Sequence, residues 1–405
     1  MALPRISRRQ VLHAGAAGLL ALTPIARAFD GASPVMVGLD AEFFDRTSTA
    51  DDAIELGARL AIEDINVRGG VLGGRPLQLV TTDNRSLPAR GLANVQHLAA
   101  QPDIAAYLCG KFSPVVLEQL PAFHALELPL LNPWAAADAI VNNGREPNFA
   151  FRLGLRDSIA MERLLQQIIE RGYRDVGVIV PASAWGRSSL HFAEHFITFE
   201  GRTALKLVGV EWHRWGSERS IEENYRSLVD AGAQAILLVA NEPEGAALVR
   251  ALAELDQADQ RPIFSHWGIT GGRFPELCGP ALNRVDLTVV QSFNFARASH
   301  PAAQRLALAA MSHFSVADPL AVPSMTGLGP AYDLIHLLAL AVEQARSTHR
   351  PDIRAALERL PAYDGVVKHL DPAFTPARHE ALERADVLLC QFDDRGRLQP
   401  IGEPR

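Results

Sequence analysis

The chain reads as an α/β protein built from two Rossmann-like lobes, each a parallel sheet flanked by helices. Three observations predict this. Short apolar β-like runs alternate with amphipathic helical stretches, the pattern of parallel strands joined by crossover helices. The alternation lapses near residues 151–157 and then begins again. The length, 405 residues, is too great for one typical core, and 48% apolar residues can fill two.

The elements follow in order. Residues 34–39 read as a strand and 52–66 as a helix, with Ile54, Ala58, Ala61, Ile62 and Ile65 near a 3.6-residue period. Gly69-Gly70 then suits a left-handed C-cap. Strands are predicted at 77–82, 104–108 and 128–132, with helices at 89–100 and 114–125 between them. The second round has helices at 161–171, 188–199, 225–231 and 244–255, and strands at 175–180, 204–211, 235–239 and 262–265. A strand at 285–293 and a long helix at 332–345 look like additions to one lobe. A short helix at 353–360, a strand at 385–392 and a turn at 393–396 complete the pattern.

The first residues are a targeting segment and stand outside the fold. Arg5, Arg8 and Arg9 precede an apolar run at 11–25, and Ala26-Arg27-Ala28 offers a small-x-small cleavage site before Phe29. Residues 7–12 resemble a twin-arginine export signal, the alternative being an ordinary secretory signal in which two arginines are adjacent. No Cys follows the site to carry a lipid, and no later apolar run reaches the roughly 18 residues that span a bilayer. A net charge of −7 without a basic stripe argues against nucleic-acid binding. Cys109, Cys278 and Cys390 form no CxxC, so zinc and thioredoxin-like sites have no support, and an odd number leaves at least one thiol unpaired. Cys109 and Cys390 lie in apolar runs and read as small buried hydrophobes.

In parallel α/β sheets, ligands bind beyond the carboxyl ends of the strands. That rule selects loops at 40–44, 110–113, 133–136, 181–185, 241–243 and 266–270. They hold Phe43, Phe44, Phe112, Trp134, Trp185 and Trp267, three of the chain's five tryptophans among them. Each Trp alone could simply pack its own lobe; as a set they point to a cleft lined with aromatics.

The ordered motifs carry a resemblance. Residues 57–66 (GARLAIEDIN) followed by Gly69-Gly70, residues 73–77 (GGRPL) before a strand ending at Asp83, Asn132-Pro133, Ala184-Trp185-Gly186, Ala331-Tyr332-Asp333 and Asp364-Gly365-Val366 occur in sequence over almost all of the mature chain. Together they resemble the substrate-binding proteins of branched-chain amino acid ABC transporters (leucine/isoleucine/valine-binding type) and, more broadly, the type I periplasmic-binding fold. The set is specific for the family and weak for the ligand.

The resemblance implies two lobes closing about a hinge of three crossings, near Arg152, Phe293 and Tyr363. The implied division is residues 29–152 plus 294–362 for one lobe and 153–293 plus 363–405 for the other, after a signal over 1–28. It implies a monomeric, non-enzymatic solute carrier without cofactor, working with an inner-membrane ABC permease. The expected ligand wall is Phe43, Gly110, Lys111, Ser113, Trp134, Ala135, Ala136, Trp185, Asn241, Glu242, His266 and Trp267. Here the chain departs from the family. Gly110 stands where Ser is common, Ala135 or Ala136 where a hydroxyl is usual, and His266 or Trp267 where an acidic residue meets the ligand's ammonium, although Glu242 is in the adjacent loop. A buried ammonium without a carboxylate is costly, so the expectation is a small organic acid or amino-acid-like ligand, stacked between tryptophans, its carboxylate on Lys111 and backbone N–H groups. The other reading of Lys111 is a solvated lysine beside the cleft.

Two readings from other classes remain. A sensor presenting its ligand to a signalling partner would use the same fold. His191, Glu194 and His195 match H-x-x-E-H, with two imidazoles one helical turn apart as in zinc hydrolases, although no downstream third ligand stands out. No G-x-S-x-G elbow, P-loop or G-x-G-x-x-G is present. The segment around Phe374, His379 and Glu380 has no reading beyond covering the second lobe.

Overall fold

A computed structural model describes residues 33–44, 48–200 and 204–402. The export signal expected over 1–28 lies outside them. The first sheet grows from β1 (Val35–Ala41), α1 (Ala50–Val67), β2 (Leu77–Asp83), α2 (Pro88–Ala99), β3 (Ile104–Cys109), α3 (Ser113–Ala125), β4 (Leu130–Asn132) and β5 (Ala150–Arg152). Its order is β2-β1-β3-β4-β5, and every pairing is parallel. Strand β3 is buried throughout, as helix cover on both faces requires.

The second sheet follows from α4 (Asp157–Glu170), β6 (Asp175–Pro181), α5 (Ala184–His195), β7 (Lys206–His213), α6 (Glu218–Asp230), β8 (Ala235–Leu238), α7 (Glu242–Ala253), β9 (Ile263–Ser265), α8 (Phe274–Cys278) and β10 (Leu287–Gln291). Next come α9 (Pro301–Phe314), α10 (Met325–Ala345), α11 (Arg350–Leu357), the small hairpin β11 (Tyr363–Asp364) and β12 (His369–Leu370), then β13 (Leu388–Phe392) and β14 (Leu398–Pro400). The second sheet's order is β14-β13-β10-β9-β8-β6-β7. The pairings from β7 through β10 are parallel, and β13 and β14 pair antiparallel at the edge. This sheet is therefore mixed: β13 and β14 are joined by a short turn, which only an antiparallel pair permits.

The long apolar helix starts at Met325, seven residues before the predicted 332. Gly and Pro have low helix propensity, but here Gly327 and Gly329 allow close packing. A Cβ at Gly327 would meet Trp134, and one at Gly329 would meet Phe293. On the facing helix, a Cβ at Gly57 would fall 2.3 Å from the Leu328 carbonyl. Helix α10 is long and apolar enough to cross a membrane, yet it is a buried core helix against α1. Helix α9 went unread, although it starts with His300 Nδ1 accepting from the Ala302 N–H and with Pro301 in its first turn.

The segment without a reading covers the first sheet, not the second lobe. The Arg152 N–H donates to the His379 carbonyl and the Ala381 N–H to the Arg152 carbonyl, so residues 379–381 run along β5. His379 stacks on Phe151 at 4.0 Å, and Phe374 meets the same ring edge-on. Tyr363 donates to Asp333 of α10, and the chain enters the second sheet only at Leu388. The three cysteines are buried and free.

Candidate functional site

The selected loops lie where the strand-end rule puts them, and those of the two lobes face each other. After β3, Gly110 turns the chain tightly: a Cβ there would lie 2.8 Å from Asp51 Oδ1. Asp51 needs that space, because its two oxygens accept from the backbone N–H groups of Lys111 and Glu42, each at 2.8 Å. The missing side chain at 110 is thus the counterpart of a buried carboxylate on α1.

The Lys111 ammonium is not freely solvated beside the cleft. It pairs with Glu42 Oε2 at 3.0 Å, with Asp51 and Glu242 also acting on its charge. Burial works against that charge, but Asp51, Glu242 and Glu42 outweigh it and hold the pKa above the usual lysine value. Burial pushes Asp51 up to about 6 even with Lys111 opposing, and raises Glu242 as well. Glu242 Oε1 has no hydrogen-bond partner. The Lys111 ammonium, expected to meet a ligand carboxylate, is here in an ion pair within the protein, in a neighbourhood of three carboxylates.

Ser113 begins α3 and accepts with its Oγ from the N–H groups of Ala136 and Ala137, both at 3.1 Å. Its lone pairs are spent on that loop, and its hydroxyl hydrogen is left to donate. Asn132 closes the same loop, donating to the Ala135 carbonyl and accepting from the Trp134 N–H.

On the opposite wall, Ser183 caps α5 and sets Trp185 in its first turn. Gly186 is required there, since a Cβ would sit 1.9 Å from the Pro181 carbonyl. His266 Nδ1 accepts from the Gly268 N–H at 3.2 Å, and Nε2 lies 3.3 Å from Asp157 Oδ1. Burial lowers the His266 pKa although Asp157 opposes it, so the ring is neutral at pH 7. This network assigns the one ring proton to Nε2, aimed at Asp157. The Trp185 Nε1–H, 3.4 Å from that protonated nitrogen, then has no acceptor there. Asn241 precedes α7 without capping it, and its amide has no hydrogen-bond partner among the described residues.

Lys111, Phe112, Ser113, Pro114, Trp134, Ala136, Trp185, Asn241 and His266 line one gap. Seven of the expected residues are therefore brought together. Five are not at its surface. Gly110, Ala135, Glu242 and Trp267 support it from behind, with Trp267 stacked on His266 at 3.6 Å, and Phe43 packs at the start of the first loop. The gap holds about 20 Å³, roughly one water molecule, so the lobes are closed. Phe112 meets Trp215 across the mouth at 5.2 Å, and the Thr49 N–H donates to the Gly271 carbonyl at 2.7 Å. Trp215 lies outside the selected loops because β7 runs to His213, two residues past the predicted 211, and the loop after it was not among them. A larger cavity of about 460 Å³ lies between residues 313–325 and the β13–β14 turn.

His191, Glu194 and His195 sit on the exposed face of α5, where His191 packs on Phe192 and His195 on Phe199. Among the described residues no group of three His, Cys, Asp or Glu side chains is placed to hold a metal ion.

The periplasmic binding protein family matches residues 46–396. This chain is a member of that family. Its fold is similar to a type 1 periplasmic binding protein from Bordetella pertussis Tohama I, with a TM-score of 0.78 and 20% identity over 91% of this chain and 100% of the other. It is also similar to the branched-chain amino acid transporter substrate-binding protein LivJ from Streptococcus pneumoniae, solved with isoleucine (TM-score 0.73, 17% identity, 91% and 99% covered). A third is an ABC transporter solute-binding protein from Rhodopseudomonas palustris BisB5, solved with 3,4-dihydroxybenzoic acid (TM-score 0.74, 14% identity, 91% and 96% covered). No curated protein matches the sequence. The two-lobe architecture and the facing strand-end loops are those of the type I periplasmic-binding fold, a family of solute carriers of the periplasm.

Proposed function

We propose that this periplasmic binding protein is exported, cleaved after Ala28, and captures a small carboxylate-bearing solute between its lobes for delivery to an inner-membrane ABC permease. The solute is an organic acid or an amino-acid-like molecule. One observation carries the reading. Three unspent donors, the Ser113 hydroxyl, the Trp185 Nε1–H and the Asn241 amide, converge on one gap between the lobes. Helices α3, α5 and α7 all begin there, and helix N-termini favour negative charge. Trp134 and Trp185 supply apolar faces beside these donors. Isoleucine and 3,4-dihydroxybenzoic acid, bound by two proteins of similar fold, both carry a carboxylate.

The gap as closed has room for about one water, so the lobes part to admit a solute. We take the hinge as the crossings at Arg152, at Phe293 after β10, and along residues 371–387, which widens the third crossing beyond Tyr363. The protein is expected to act as a monomer.

Calorimetric titration of the mature chain with benzoate, 3,4-dihydroxybenzoate and leucine tests this. The reading expects at least one to bind, with Asn241→Ala weakening it about three- to tenfold, the loss of one net hydrogen bond. Preference for benzoate over leucine would assign an acid without ammonium. Preference for leucine would assign an amino acid. Binding by none of the three would sink the carboxylate assignment. Binding indifferent to Asn241 would move the ligand out of this gap.

A further inference from the structure

The loop at 133–137 is the first-lobe wall of the gap, and after Trp134 its side chains are those of three alanines, Ala135 to Ala137. Such side chains cannot anchor a loop by polar contact. The anchor comes from β5. The Arg152 guanidinium is fully buried, and its Nη1 donates to the carbonyls of Ala135 at 2.9 Å, Ala136 at 2.9 Å and Ala137 at 3.1 Å. Its Nε and Nη2 donate to the two carboxylate oxygens of Glu380. On the other side of the loop, Ser113 Oγ takes the N–H groups of Ala136 and Ala137. The loop is thus clamped through its own backbone, carbonyls to Arg152 and amides to Ser113.

We propose that Arg152 is the positioning residue of the solute site, holding the 133–137 wall in its binding geometry from a strand that is also a hinge crossing. This rests on the solute-binding reading above. Only a guanidinium has the planar set of donors to reach adjacent carbonyls and a carboxylate at once. A lysine ammonium in its place would be a point charge, able to keep Glu380 or the carbonyls but not both. The same residue is paired through its backbone with His379 and Ala381 of the C-terminal segment. The wall and that crossing therefore share one anchor, which gives the segment around Glu380 a role that covering a core would not.

The test separates positioning from plain stability. Arg152→Lys keeps a buried cation beside Glu380 and loses the fork. Arg152→Met removes it. Glu380→Gln weakens the ion pair and leaves the carbonyl bonds. Two readouts are taken on the full mature chain at a temperature where every variant is folded. The first, hydrogen exchange of the Ala136 and Ala137 amides, needs no ligand: exchange should rise at least tenfold in Arg152→Lys and stay within threefold of wild type in Glu380→Gln, while β3 and β6 are unchanged in both. The second, titration with benzoate, should show affinity down at least tenfold in Arg152→Lys and little changed in Glu380→Gln. If Arg152→Met folds, it should exceed Arg152→Lys on both counts.

The proposal is overturned if Arg152→Lys lowers the melting temperature with loop exchange unchanged, or if Glu380→Gln loosens the loop equally. A wild-type chain that does not bind benzoate counts against benzoate as solute, and loop exchange then decides the Arg152 assignment by itself.

Discussion

Two cations with little exposure lie near the gap between the lobes, and their surroundings differ. Arg152 is saturated: its fork meets three carbonyls and both oxygens of one carboxylate. Lys111 makes one ion pair, to Glu42, within a set of three carboxylates, and one oxygen of that set, Glu242 Oε1, has no partner. The first arrangement has one good geometry and holds a wall still. The second carries more negative than positive charge and can redistribute protons. Rigidity thus sits in the frame of the first lobe, and responsiveness sits where the lobes meet.

Breaking the saturated site should have the largest effect. Glu380→Ala leaves the Arg152 charge buried without its carboxylate, and should cost about 3–5 kcal/mol, read by urea denaturation. A loss below about 1 kcal/mol would mean that water replaces Glu380, and that the two cation sites differ less than their geometry implies.

Lys111→Met should cost less, on the order of 1–2 kcal/mol, because Asp51 and Glu242 can take up protons in place of the lost cation. Its signature is in pH. The Asp51 carboxyl keeps its proton in the folded chain up to about 6, against 3.8 for the free side chain. The folded state therefore binds more protons in that window, and the Asp51 contribution to stability is lost as pH rises from about 4 to about 6. Melting temperatures across this range should fall more steeply in Lys111→Met than in wild type, and less steeply in Asp51→Asn. Parallel curves for all three would remove the proton-linked role.

The smallest effect belongs to the mouth. Trp215→Ala deletes the edge-to-face contact with Phe112, worth about 0.5–1.5 kcal/mol. It should leave the melting temperature nearly unchanged and weaken solute affinity about two- to tenfold. Trp215 is also about 42% exposed, so its fluorescence should report the parting of the lobes. An unaltered affinity would place the closing energy in the Thr49–Gly271 seam instead.

Legibility followed the range of each interaction. Trp185, Asn241 and His266 follow strands, a local signal from which the strand-end rule groups them, and the structure brings all three to one gap. Gly110 looked like a lost ligand hydroxyl because its reason, the approach of Asp51, comes from α1, about sixty positions earlier. Lys111 looked available for an anion because Glu42 reaches it from the loop after β1. Arg152 was read only as a crossing, since its partners at 135–137 and 380 are joined only by folding.

Sequence by itself determined the class of this protein: alternating apolar runs impose parallel strands and crossover helices, and their order imposes two lobes with facing strand-end loops. Tertiary structure decided the charge state and the anchoring of the site. Those depend on which carboxylates and carbonyls reach a cation across long stretches of chain, and burial multiplies the consequence of each such contact.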